Sequence, residues 1–297
     1  MIILDGGLGR ELEAMGAPFR QPEWSALALM EGPEFVRAAH DAFLDAGADV
    51  IATNSYAVVP FHIGDDVFAA QAAELLSLSG ALARAAAADA GRPVRVAASI
   101  PPMFGSYQPD KFDPVKASEM MRLFRDQLID YADLFLAETL GSVAEARLFL
   151  ELFSDAGLPV WLSVTLEDKG AVAGDPRLRS GERLHEVLAL CDMMRPEALL
   201  FNCSQPEIME DAVRQATAHF GQEFAPLIGV YANAFPLAND DYEGANTTIH
   251  KLRTDITPPA YLDYAVRWAA AGAGIIGGCC GISPAHIKVL KQHFMQS

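Results

Sequence analysis

The sequence predicts a single (β/α)8 barrel over residues 1–297, on three observations. Short apolar, β-branched runs alternate with longer amphipathic stretches from one end of the chain to the other, the rhythm of repeated βα units on a parallel sheet. Eight such runs can be read, enough to close a barrel. No linker rich in Gly, Ser or Pro divides the chain, and 297 residues is an ordinary size for a barrel built around one core. An open doubly wound sheet is the competing architecture, and the even spacing of eight units argues against it.

Taken in order, the strands are expected at residues 2–4, 49–53, 94–99, 134–137, 160–164, 199–201, 227–231 and 274–276. The helical stretches that follow them are expected at 34–46, 68–90, 114–132, 142–156, 181–191, 206–220, 259–271 and 284–294. Pro114, Pro206, Pro259 and Pro284 sit at or near helix starts, where the missing proline N–H costs nothing. Residues 235–258 are long, polar and without clear periodicity. They are expected to form an excursion after the seventh strand, and a loop of that length in a compact fold is usually functional or mobile.

Composition narrows the function classes. Apolar residues make up 51 % of the chain, Gly and Pro are near ordinary levels, and a folded globular enzyme is favoured over disorder. Lys and Arg number 22 against 39 Asp and Glu, a formal charge of -17 that repels phosphate backbones and anionic lipid heads. Nucleic acid and membrane surfaces are therefore excluded as expected partners. No apolar run approaches the roughly 18 residues that span a bilayer, and MIILDGG is too short an apolar stretch for a signal peptide. Four cysteines are too few for a disulfide framework. The expected location is the cytoplasm, whose reducing conditions leave those thiols free for metal or catalysis.

Three of the four cysteines follow expected strands: Cys203 after ALLFN, and Cys279 with Cys280 after GIIGG. In a barrel the C-terminal strand ends converge on one face, so these positions can meet in space. A thiolate-rich cluster of three suits Zn2+ and leaves a fourth position open for chemistry. A single cysteine is more often a small buried hydrophobe. An adjacent pair after a Gly-Gly turn, with a third cysteine at another strand end, reverses that preference. Cys191 lies late in a helix without a partner pattern and is assigned to packing. A vicinal disulfide is a lesser alternative, because it strains the intervening peptide and finds little oxidant in the cytoplasm.

The segments DGGLGRELE, TNSY, FNCSQPE and GGCCGISPAHI together resemble the homocysteine S-methyltransferases over nearly the whole chain. The resemblance implies a (β/α)8 barrel that binds catalytic zinc through Cys203, Cys279 and Cys280. It also implies an acceptor site in which Asp5, Gly6, Gly7 and Glu138 hold the amino-acid end of homocysteine. Two carboxylates suit an ammonium, and the amides of a Gly-rich turn entering a helix suit a carboxylate. An amide oxygen from the loop after the seventh strand completes the zinc shell of some relatives before substrate binds, and Asn233 stands at the comparable place. That loop reads Ala232, Asn233, Ala234, Phe235 in place of the family's Pro-Asn-(Ser/Ala)-Gly. Arg10, where a small hydroxyl residue is common, is a second departure and is expected to alter what fits beside Asp5.

The implied chemistry is thiol activation. A free thiol with a pKa of about 8.5 is only about 3 % thiolate at pH 7, so full ionisation by zinc recovers roughly 2 kcal/mol of the barrier. The partners are then a small thiol acceptor and a methyl donor. A cationic sulfonium, S-methylmethionine or S-adenosylmethionine, is the expected donor because the chain lacks room for folate and cobalamin modules. Trp24, Tyr56, Phe104 and Tyr107, in loops near strand ends, are candidates for cation–π contacts to it, though ordinary packing is the commoner role of each. A betaine-type donor, or another thiol or selenol acceptor, is the alternative within the same class. Outside it stand a zinc hydrolase, whose sites favour His and carboxylate ligands, and a zinc- or thiol-binding barrel without turnover.

Overall fold

The computed structural model describes residues 1–221, 223–237 and 251–295. Its strands are β1 (Ile2–Ile3), β2 (Val50–Ala52), β3 (Arg95–Ile100), β4 (Leu134–Leu140), β5 (Val160–Val164), β6 (Ala198–Asn202), β7 (Leu227–Tyr231) and β8 (Ile275–Ile276). They form one sheet of 8 parallel strands in the order β1-β8-β7-β6-β5-β4-β3-β2. The ends of that order meet at a Leu4–Val50 bridge, which brings the sheet round to a nearly complete (β/α)8 barrel. Side-chain bonds reinforce this seam: Ile3 N–H donates to Asp49 Oδ2 (3.0 Å) and Ala52 N–H to Asp5 Oδ2 (2.8 Å).

The helices are α1 (Leu8–Ala14), α2 (Ser25–Glu31), α3 (Pro33–Asp45), α4 (Pro60–Ile63), α5 (Asp65–Asp89), α6 (Pro114–Leu128), α7 (Val143–Phe153), α8 (Leu184–Met194), α9 (Met209–His219), α10 (Pro258–Ala271) and α11 (Pro284–Met295). Their starts are written locally. Asp113 accepts from the amides of Val115 and Lys116 ahead of α6, Ser142 caps α7 through the Glu145 amide, and Thr257 caps α10 through that of Ala260. Pro occupies the first turn of α3, α4, α6 and α10.

Strands and crossover helices fall where the periodicity puts them, with five differences, the simplest being the added four-residue helix α4. Two helices, α1 and α2, precede the expected one between β1 and β2, and both are only seven residues long, too short to show a periodic stripe. β4 runs on to Leu140 through an irregularity after Ala137, so Glu138 lies within the strand and not after it. The stretch before α8 is a small antiparallel excursion with bridges Leu166–Leu178 and Arg177–Arg183. Pro206–Ile208 is a 3-10 turn leading into α9. Of the expected 235–258 excursion, residues 238–250 lie outside the described residues. Its flanks are tied to the barrel mouth, Ala234 N–H donating to Cys280 O and Arg253 N–H to Ala234 O, each at 2.8 Å.

Two apolar layers follow from strand alternation. One face of each strand packs outward against the helices, where Phe43, Phe124, Phe135, Phe149, Phe153 and Trp268 are fully buried. The other faces inward and fills the lumen with Leu4, Val50, Leu134, Leu136, Trp161, Ala198, Leu200 and Ile275. Gly229 belongs to that layer by necessity, since a Cβ there would stand 2.7 Å from the Leu200 side chain. Continuing the inward rows of β3 to β7 by two residues toward the C-terminal strand ends gives Ser99, Glu138, Ser163, Asn202 and Tyr231, all polar. The alternation that builds the core thus carries a polar floor at its upper end.

Candidate active site

Above that floor lies a cavity lined from seven strand ends: Asp5 to Gly9 after β1, Thr53, Asn54 and Tyr56 after β2, Ser106 and Tyr107 after β3, Glu138 and Thr139 late in β4, Cys203 after β6, Tyr231 and Phe235 at and after the end of β7, and Gly278 to Cys280 after β8. The Sγ atoms of Cys203, Cys279 and Cys280 all lie within 4.8 Å of one another. Tetrahedral Zn–S bonds of about 2.3 Å imply sulfurs about 3.8 Å apart, so this donor set fits zinc with small adjustments. Cys203 is buried, and the other two are half-buried at the cavity wall. Cys191 is buried in α8, outside the cluster, and burial pushes its thiol up to about 12, which suits packing.

The glycines around the pair have steric reasons. A Cβ on Gly7 would stand 2.5 Å from Cys279 O and 2.9 Å from Cys280 Cα, so the first loop can lie against the cysteine turn only as glycine. Gly7 N–H donates to Ile282 O at 2.9 Å, so this amide is already in use, whereas no described residue takes that of Gly6. Arg10, one turn along α1, lies with Nη1 3.1 Å from a Glu13 oxygen and is not part of the cavity lining.

Hydrogen bonds from the Cys279 and Cys280 thiols, and then from Tyr107 and Asn233, hold the Cys203 thiol well below its ordinary range; the same contacts and burial push Cys279 and Cys280 up. The protein by itself therefore favours one thiolate among three thiols. A divalent cation is what would let all three ionise together. Tyr107 Oη is 2.8 Å from Cys203 Sγ, and the Arg179 guanidinium lies over the Tyr107 ring at 4.6 Å. Arg179 in turn pairs with Asp168 (2.6 Å), which accepts from Gln205 N–H (2.9 Å). Asn233 presents its amide nitrogen to Cys203 Sγ at 3.9 Å, while its oxygen accepts from Phe235 N–H at 3.2 Å.

Asp5 and Glu138 face the same cavity. Asp5 is buried and gives α1 no side-chain cap, so its carboxylate is available to the cavity apart from the bond to Ala52. Burial pushes its carboxyl well above the usual range, and it pushes Glu138 up to about 7. Glu138 accepts from Ser99 Oγ–H, and the buried Tyr231 hydroxyl lies beside it. Buried carboxylates so displaced are poised to gain from a cation. No Lys or Arg is among the described lining residues.

Backbone strain concentrates here. Trp24 (φ 52°), Tyr107 (φ 62°), Thr139 (φ 60°) and Cys203 (φ 52°) are non-glycine residues in left-handed conformation, and all four line the cavity. Asn202 holds one of them, Thr139. Its Oδ1 accepts from Thr139 N–H (2.9 Å) and Ser163 Oγ–H (2.8 Å), and its Nδ2 donates to Thr139 Oγ1 (2.9 Å), which fixes the turn after Glu138 from the residue before Cys203.

Every site residue named from the sequence except Asn233 lines this one cavity, and Asn233 touches it through Cys203. Of the four aromatic candidates, Trp24, Tyr56 and Tyr107 line it and Phe104 packs on the core instead. Sequence reasoning did not single out Ser99, Asn202, Tyr231, Asn54 or His62. Asn202 and Tyr231 carried a signal, a polar residue closing a strand at an inward-facing position.

The homocysteine S-methyltransferase family model matches residues 2–294. The homocysteine S-methyltransferase of Escherichia coli (strain K12) is 32 % identical, with 98 % of this chain and 94 % of that protein covered. Homocysteine S-methyltransferase 1 of Zea mays is 28 % identical, covering 98 % and 93 % respectively. Among solved structures, the metallated form of the homocysteine methyltransferase MmuM from Escherichia coli superposes with a TM-score of 0.78 at 30 % identity, covering 99 % of this chain and 96 % of that one.

Proposed function

Because this chain belongs to the homocysteine S-methyltransferase family, we propose that it methylates the sulfur of homocysteine from a sulfonium donor, with zinc held by Cys203, Cys279 and Cys280 activating that sulfur. The observation that carries this reading is the meeting, in one cavity, of three convergent sulfurs with two buried carboxylates. Bound there, zinc supplies the positive charge that keeps an acceptor thiol ionised at neutral pH. Asp5 and Glu138 hold the acceptor's ammonium, and the Gly6 amide is open to its carboxylate. The acceptor sulfur's lone pair then forms a bond to the donor methyl carbon as the bond from that carbon to the donor sulfonium breaks. Its electron pair stays on the departing sulfur, which leaves as a neutral thioether.

Two further assignments belong to the same reading. Residues 1–297 act as one homocysteine-binding barrel domain, since the site draws on the first strand and the last. The Asn233 amide oxygen serves as the protein's own fourth ligand before the acceptor arrives, a role that requires the amide to turn over, since its nitrogen faces Cys203 Sγ and its oxygen accepts from Phe235 N–H. A reducing cytoplasm suits three free thiols on one ion, and no described helix is long and apolar enough to cross a membrane. Absence of cationic side chains from the described lining favours a cationic donor over an anionic one. The test is incubation with homocysteine and S-methylmethionine, S-adenosylmethionine or betaine, with methionine read by mass spectrometry. A sulfonium is expected to give product, and the absence of methionine with every donor would overturn the reading.

A further inference from the structure

One wall of the cavity is not used by the acceptor site described above. His62 and Asn54 lie on it, 3 % and 2 % exposed, and both are anchored to the segment at residues 22–25. His62 Nδ1 is 2.5 Å from Pro22 O, and Asn54 Nδ2 is 3.1 Å from Ser25 O. A carbonyl oxygen can only accept, so each contact fixes the orientation of the group that makes it. The imidazole must carry its proton on Nδ1, and the amide must turn its NH2 toward Ser25. What each has left is an acceptor, His62 Nε2 and Asn54 Oδ1. Neither atom has a partner among the described residues, and neither is among the buried unsatisfied atoms, so both remain accessible. Burial pushes the His62 ring down to about 4, which keeps it neutral at physiological pH.

We propose that His62 Nε2 and Asn54 Oδ1 form a second ammonium-reading site in this cavity, which selects methyl donors carrying an N–H group. Two acceptors, with no cationic side chain near them among the described lining residues, offer hydrogen bonds to an ammonium and none of their own to a carboxylate. A fully methylated ammonium, or a sulfonium without an amine, has no N–H to place there. Trp24 and Tyr56 on the same wall give the cation apolar and aromatic surface. This inference rests on the sulfonium reading above and adds to it the residues that discriminate among donors.

The test measures steady-state kinetics of the zinc-loaded protein with homocysteine and three donors: S-methylmethionine, dimethylsulfoniopropionate, which lacks the ammonium, and betaine. Wild type is expected to favour S-methylmethionine in kcat/KM by about tenfold or more over dimethylsulfoniopropionate, the value of a hydrogen bond to a charged group. His62→Leu is expected to raise KM for S-methylmethionine about tenfold, leaving KM for homocysteine within about twofold and the weak use of dimethylsulfoniopropionate unchanged. His62→Gln, which keeps an acceptor at the outer end of the side chain, should recover part of the loss. An Asn54→Leu chain should behave as His62→Leu does.

Wild-type preference for betaine or dimethylsulfoniopropionate would overturn the donor assignment while leaving homocysteine methylation intact. A rise in KM for homocysteine with an unchanged donor KM would move both residues to the acceptor side and overturn it equally. No methionine from any donor would sink both readings. Unchanged donor kinetics in both variants would overturn the assignment to these residues, and if the leucine variants fail to fold, His62→Gln and Asn54→Asp report on the two acceptors in their place.

Discussion

Tyr107 places its hydroxyl 2.8 Å from Cys203 Sγ and 3.2 Å from the Cys203 carbonyl, across 96 residues of sequence. A phenol so close to a thiolate withdraws electron density from one sulfur of the three-cysteine cluster, and groups placed against metal ligands in this way commonly tune both affinity and rate. Tyr107→Phe is therefore expected to keep its zinc and lose roughly 10- to 100-fold in kcat. Metal analysis beside turnover measures both, and full activity would show that the contact has no bearing on the chemistry.

Purified protein should carry about one zinc per chain, and Cys203→Ala or Cys279→Ala should lose metal and activity together. Cys191→Ala should keep both, since its thiol lies in α8 outside the cluster. A chelator should abolish activity in the wild type and added zinc restore it. Full occupancy in the Cys279 variant would remove that residue from the ligand set.

With Glu138 pushed up to about 7, the acceptor's ammonium should meet a carboxyl that is partly protonated near neutrality. Methionine isolates this effect, having the amino-acid end without an ionisable sulfur. Its affinity should strengthen as pH rises, by up to about tenfold per unit below 7, and level off above it, and Glu138→Gln should bind more weakly with a shallower slope, the remainder belonging to the raised Asp5 carboxyl. Calorimetry between pH 6 and pH 8 reads the slope. Stability has the opposite sign: a carboxyl raised from 4.5 to about 7 makes the ligand-free folded chain bind a proton that the unfolded chain has released. Stability conferred by that proton is present below 4.5, falls as pH rises through this window, and should not fall in the Gln variant.

Asn202→Ala removes three buried hydrogen bonds and the groups that hold Thr139 in left-handed conformation. A loss of roughly 2–4 kcal/mol is expected in urea unfolding, as a lower midpoint with an unchanged slope. An unchanged midpoint would mean that the turn holds itself.

The parts of this molecule that repeat were legible before folding, and the parts that depend on two distant segments were not. Eight apolar runs located the strands within a residue or so, except β4, because burial on both faces writes a continuous signal. The cysteine pair and Cys203 announced themselves by standing at strand ends. Tyr107 stood out only as an aromatic near a strand end and Asn54 only as part of TNSY, while His62 gave no sign, since their contacts are with Cys203 Sγ, Ser25 O and Pro22 O, none of which is adjacent in sequence. Nor did Glu138 show that it lies inside a strand, which only the irregular register with β5 reveals.

Asp5 has two oxygens and, in this barrel, two duties. Oδ2 holds the Ala52 amide across the seam where the first stave of the barrel meets the second, while the same carboxyl faces the cavity. Position 5 is therefore a hinge pin as much as a ligand. Asp5→Asn sharpens the point, because an amide can keep the seam only by giving its oxygen to Ala52, which turns its NH2 toward the approaching ammonium. One isosteric change would then leave the closure standing and present the guest with a donor where it needs an acceptor.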